Sequence, residues 1–139
     1  PVIDYINKEL SVELPKTKYV GNPDARHEDQ SSIAIREIFL QHSIDYLFMG
    51  VNTNPPELDT LEGAPKRKLV PPSKKLIYPF ATMLKDKIIQ IMFEENQQEL
   101  MNITHSCTEQ KVGRCGQCWQ CTERLWAFKQ LDKLDTGIL

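Results

Sequence analysis

The chain has 139 residues, 40% of them hydrophobic, and a formal net charge of -2. That length suits one domain with a real core and is too short for two ordinary ones, and so small a charge gives no global field to attract nucleic acid or an anionic membrane. No apolar run is long enough to cross a bilayer and no signal-peptide pattern opens the sequence; it starts at Pro1 rather than Met, so the natural start is expected to be processed or absent, and the expected location is cytoplasmic.

Val2 to Leu10 reads as a short helix. Residues 15–30, with two prolines, a glycine and many polar groups, read as loop. Ser31 or Ser32 is placed to cap the next helix, whose Ile35, Ile38 and Phe39 recur at helical spacing. The apolar run from Ile44 to Val51, closed by Gly50 and Asn52, reads as a buried strand of a parallel sheet. A helix feeding such a strand is half of an α/β unit. Residues 53–79 hold six prolines and are expected to form a long loop. Thr82 is expected to cap a helix running to about Glu95, with Leu84, Ile88, Ile91 and Met92 on one face. A helical turn over 97–101 precedes the cysteines, and a last helix is expected from Trp119 to about Leu134, with Leu125, Phe128 and Leu131 inward.

All four cysteines fall in one 15-residue stretch, spaced Cys107-x7-Cys115-x2-Cys118-x2-Cys121. A tight cluster in a chain without a targeting signal points to a metal rather than a disulfide framework. Zinc takes four thiolates at tetrahedral corners. The Cys115-Gly116-Gln117-Cys118 turn lets two sulfurs converge, with Gly116 supplying the tight backbone, and Cys121 follows one helical turn on. Disulfides and an iron–sulfur cluster are the competing readings; the proline that usually follows the last ferredoxin cysteine is replaced by Thr122. Four thiolates leave no open coordination position, so the zinc would be structural.

The segment Thr104-His105-Ser106-Cys107, then Cys115-Gly116-Gln117-Cys118-Trp119-Gln120-Cys121-Thr122-Glu123-Arg124, resembles the C-terminal zinc signature of 7-cyano-7-deazaguanine synthases. Pro79 to Ile89 resembles that family's Pro-Leu…Met-x-Lys-x-Glu-Ile-Val stretch, Gly50-Val51-Asn52 its Gly-Val-Asn, and Ala25-Arg26-His27 its Ala-Arg-Asn. The resemblance covers roughly residues 25 to 128. It implies an α/β fold: part of a parallel-sheet, adenine-nucleotide alpha hydrolase-like domain of the PP-loop ATP-pyrophosphatase type, with a C-terminal helical zinc-binding segment. Residues 1–102 would be the C-terminal part of that α/β domain, and 103–139 the four-cysteine zinc-binding segment and terminal helix. The family uses ATP, with Mg2+, to activate the carboxylate of 7-carboxy-7-deazaguanine; ammonia displaces AMP, and a second activation yields the nitrile used in queuosine-type modification.

The sequence departs from that pattern in two places. It lacks the Ser-Gly-Gly-x-Asp-Ser phosphate loop, whose backbone donors hold the pyrophosphate. After Asn52 it reads Thr53-Asn54-Pro55-Pro56-Glu57-Leu58-Asp59 where the family shapes its base pocket. The resemblance places Arg26, Asn52 and Lys85 against substrate or nucleotide, lining one cleft at the carboxyl edge of the strand, with the zinc site outside it. The bland readings are a solvated arginine, a strand-ending asparagine and an exposed helix lysine. Arg124 reads as structural; His27, His42 and His105 share no metal spacing; Trp119 and Trp126 read as core or interface. The basic run Lys66-Arg67-Lys68 with Lys74-Lys75 reads as a solvated loop rather than a nucleic-acid contact. The implied partners are a small-molecule substrate, an N-terminal half or second subunit carrying the phosphate loop, and a second copy in a homodimer; no membrane partner is implied. Two alternatives stand beside an ATP-dependent ligase part: a non-catalytic zinc-binding interaction module, and a related adenylating enzyme acting on another carboxylate.

Overall fold

The computed structural model describes residues 2–14, 27–62, 64–65, 75–110 and 112–137, and of 27–32 the backbone alone. The helix α1 spans Val2–Leu10 and α2 spans His27–Gln41. β1 (Leu47–Phe48) and β2 (Leu76–Ile77) pair in parallel, Leu47 beside Leu76 and Phe48 beside Ile77. Then come α3 (Lys85–Glu94), α4 (Gln98–Ile103) and α5 (Trp119–Gln130). A parallel strand pair joined to helices and a cysteine cluster is what a partial α/β, zinc-binding unit requires. Among the described residues, no helix is long and apolar enough to cross a membrane.

The core lies between α3, α4 and α5. Ile89, Met101, Ala127 and Phe128 are buried together, with Met92, Phe93, Trp126 and Leu131 packed around them. The rings of Phe93 and Phe128 meet edge to face, 6.4 Å between centroids at 80°, an arrangement that adds about 0.5–1.5 kcal/mol to the apolar burial. This core joins residues on both sides of position 102, so α5 completes the packing of α3.

Several expected boundaries shift, each for a local reason. The regular strand is only Leu47–Phe48, and it is not buried on both faces: Tyr46 is 60% exposed and Phe48 64%. The proline-rich stretch is not loop throughout, because it contains β2. α2 begins at His27, which places Ser31 and Ser32 inside the helix rather than at its cap. α3 is capped by Leu84 in extended conformation, without a side-chain bond; Thr82 lies in the preceding turn, where Met83 N–H donates to Phe80 O at 2.9 Å. Ile89 supplies its buried position, while Ile91 is partly exposed. On α5, Leu125 faces outward at 63% exposure and Ala127 takes the inward place.

The ends of α3 and α5 share one device. After α5, Asp132 is left-handed (φ 50), Lys133 N–H donates to Phe128 O and Asp132 N–H to Lys129 O. After α3, Asn96 (φ 55) sits between the matching bonds Gln97 to Met92 O and Asn96 to Phe93 O. This six-to-one and five-to-two pattern satisfies the last carbonyls and stops the helix. It ends α5 at Gln130, short of the expected Leu134.

Candidate functional site

The four cysteine sulfurs all lie within 4.8 Å of one another. Cys115 and Cys121 Sγ are 4.0 Å apart, as are Cys107 and Cys118 Sγ. A disulfide brings its sulfurs to about 2.05 Å, whereas a tetrahedral zinc with bonds of about 2.3 Å spaces them about 3.8 Å apart. The cysteines are therefore unbridged, and their sulfurs are close enough together to hold one metal ion, a spacing compatible with a tetrahedral zinc.

Local backbone explains the convergence. Gly116 adopts φ +75, a left-handed turn that costs glycine nothing. The turn points Cys118 N–H at Cys115 Sγ (3.2 Å) and Cys115 N–H at Cys107 Sγ (3.4 Å). Cys118 then caps α5, which carries Cys121 in its first turn. The His105 ring Nε2 lies 2.8 Å from Gly113 O and ties the ends of the loop between Cys107 and Cys115.

Backbone N–H groups around the sulfurs, together with burial, set the thiol acidities. Burial opposes ionising Cys118, but the backbone N–H of Thr108 and then that of Cys121 outweigh it and hold the thiol at about 6. Burial likewise opposes ionising Cys107, yet the N–H groups of Cys115, Glu109 and Gln110 draw it below its ordinary value. Cys121 goes the other way: burial, reinforced by the neighbouring sulfurs against the Gly116 N–H, pushes it up to about 12. Sulfurs this close resist ionising together without a cation, and a divalent metal removes that conflict.

Arg124 sits one turn beyond the cysteines, 5% exposed, with its whole fork engaged. Nε and NH2 donate to Asp135 (2.8 and 3.0 Å), NH1 to Thr104 Oγ1 (2.9 Å) and Ser106 Oγ (3.3 Å), and NH2 also to Met101 O (3.1 Å). Arg114, from the cysteine loop, pairs with the same Asp135. Burial opposes the charge on Asp135, but Arg124 first and Arg114 second hold its carboxyl below the usual range. The clasp joins α4, the cysteine loop, α5 and the segment after α5.

Asn52 and Lys85 come from opposite sides to one group that the sequence reading did not single out. Asn52 is 5% exposed; its Nδ2 donates to Glu123 Oε1 at 2.8 Å and to Thr53 O at 3.0 Å. Lys85 Nζ lies 2.7 Å from Glu123 Oε2, and the Glu123 side chain is 1% exposed. The backbone explains how they meet: Thr53 N–H donates to Met83 O (2.8 Å) and Thr53 Oγ1 to Ala81 O (2.7 Å), lacing the segment after β1 to the turn before α3. Asn52 directs its amide inward, and Lys85 keeps a 22% exposed side chain at the surface. Arg26, and Lys66, Arg67, Lys68 and Lys74 of the basic run, lie outside the described residues. Lys75 donates to Ile44 O at 3.2 Å beside the strand pair. A sequence signal for Glu123 did exist. Trp119, Glu123 and Ala127 recur every fourth residue on one helix face, and a carboxylate on an apolar stripe demands a partner.

Residues 68–132 match the family model described as queuosine biosynthesis protein QueC. The C-terminal part of this chain is QueC-like. The QueC-like segment takes in β2, α3, α4, all four cysteines and α5, together with Lys85 and Glu123; Asn52 lies before it. No curated protein and no solved structure matches the chain at a significant level.

Proposed function

We propose that this chain is part of an ATP-dependent enzyme resembling 7-cyano-7-deazaguanine synthase, with a structural zinc at Cys107, Cys115, Cys118 and Cys121. The observation that carries the proposal is a single-cation cysteine site inside a segment similar to QueC. The zinc holds the first turn of α5 and, through it, the wall formed by α3 and the segment after β1. The location is proposed to be the cytoplasm, where thiols stay reduced and available to a metal.

The described residues do not by themselves fit a nucleoside triphosphate with Mg2+. One ammonium and one amide are present, beside a carboxylate, and the 139 residues contain no phosphate loop. In the proposed complete enzyme, the loop comes from an N-terminal half or a second subunit. Lys85 would then meet a phosphate or substrate anion at the edge, with Asn52 holding the adjoining backbone and Arg26 approaching from the segment before α2. The division into 1–102 and 103–139 is proposed as one of function, sheet wall and zinc brace.

The test is the complete protein with 7-carboxy-7-deazaguanine, ammonia and ATP, scored by nitrile and AMP formation. Asn52→Ala should lower AMP formation strongly while zinc content stays at about one per chain. A complete coding sequence with no phosphate loop, and no AMP formed, would defeat the proposal. It would favour the second reading, a non-catalytic zinc-binding module. The observation on that side is that Asn52 and Lys85 already have an internal partner in Glu123.

A further inference from the structure

We infer that Glu123 is a positioning residue that sets Asn52 and Lys85 and couples them to the metal centre. The inference rests on the proposed function only for what those two residues face; the arrangement itself is independent of it.

Three observations carry it. The Glu123 side chain is 1% exposed and its two oxygens divide their work, Oε1 taking the Asn52 amide at 2.8 Å and Oε2 the Lys85 ammonium at 2.7 Å. Glu123 lies two residues beyond Cys121 on α5, whose cap is Cys118, so a metal held by the four cysteines would fix the turn from which the carboxylate projects. Asn52 and Lys85 sit on different segments, which the Thr53 lacing and this acid bring together. An ammonium has three donors. One is used on Glu123, which orients the others at a side chain that remains 22% exposed. Glu123 thereby holds a cation at the surface in one place, where a free lysine would sample many rotamers.

The position also accounts for a charge buried on an otherwise apolar face. Glutamate is almost never fully buried unless paired, and a hydrophobic residue between Trp119 and Ala127 would pack the same stripe without cost. An acid there needs partners, and those it holds include the two residues at the carboxyl side of β1 and the start of α3.

The test is lysine acylation of the full, zinc-loaded chain, read by mass spectrometry as the rate at Lys85 relative to Lys87. Lys87 is exposed, two residues away on α3, and serves as the internal standard. In the native chain Lys85 should react more slowly than Lys87. Glu123→Gln preserves shape and the Asn52 contact but removes the anion. It should raise the Lys85 rate about tenfold, the factor that 1.4 kcal/mol of lost pairing gives, with zinc content and the Lys87 rate unchanged. A general loosening would speed both lysines and release zinc, which would overturn the inference. Equal Lys85 and Lys87 rates in the unmodified chain would overturn it without any variant. So would a Lys85 rate unmoved by Glu123→Gln in a zinc-retaining protein. The acylation result stands apart from nucleotide chemistry: if it holds while the complete protein forms no AMP, the proposed function fails and the role of Glu123 does not.

Discussion

Removing one partner of the Lys85–Glu123 pair should cost a different amount from removing the other. In Lys85→Met the carboxylate stays in a place 1% exposed to solvent without its ammonium partner. Breaking a buried pair in this way costs about 3–5 kcal/mol. The 22% exposure of the lysine side chain puts this pair at the lower end, about 3 kcal/mol. In Glu123→Gln the stranded group is the ammonium, which can turn to water, while Gln still accepts from Asn52; about 1–2 kcal/mol is expected. The double variant buries no charge and should be more stable than Lys85→Met alone, so the second substitution rescues the first. Urea unfolding at fixed free zinc, with unchanged slopes, measures all four corners of the cycle. A Lys85→Met cost no greater than that of Glu123→Gln, or a double variant equal to the sum of the singles, would refute the reasoning.

Elemental analysis should find about one zinc per chain, as four thiolates around one cation require; a brown protein carrying iron and labile sulfide would contradict that. Cys118→Ser should destabilise the chain by several kcal/mol, because metal binding and folding are one equilibrium, and retained zinc with an unchanged melting temperature would count against it. Asp135 has a folded pKa below its ordinary 3.8, so its clasp contributes fully above that value and is lost as pH falls through the depressed folded value. Asp135→Asn should flatten that acid limb of a stability–pH curve measured by denaturant unfolding; an unaltered limb would show that the clasp does not set it. The 139-residue chain alone should form no AMP from ATP with any carboxylate, and metal-dependent AMP formation by it would place the phosphate chemistry within these residues.

The cysteine centre was legible because its ligands are close in sequence and glycine marks the turn. α1 and the start of α5 were legible for similarly local reasons. The helix ends were not. Chain reversal after α3 and α5 rests on Asn96 and Asp132 in a conformation usually given to glycine, so composition marked no stop. The strand was over-read, since the apolar run around Leu47 is only partly paired and Tyr46 and Phe48 face outward. Glu123 was hidden by its company. Between Cys121 and Arg124 it reads as filler in a metal signature, and its partners lie 71 residues earlier in Asn52 and on α3 in Lys85. Asp135 was missed because it lies beyond the last helix, where no periodicity points back to Arg124.

The spread of contact distances along the chain has a consequence for the order of assembly. Cys107 and Cys115 are 8 residues apart and Cys115 and Cys121 are 6, while the Asn52–Glu123 contact closes 71. Closing the longer loop costs about 1–2 kcal/mol more entropy than closing the whole cysteine stretch, and contacts between distant segments form late. The cysteine turn is thus able to capture its ion while β1 is still unpaired. Newly made chains would load metal before the Asn52–Glu123–Lys85 junction exists, and a metal-replete preparation can still contain molecules in which that junction has not closed.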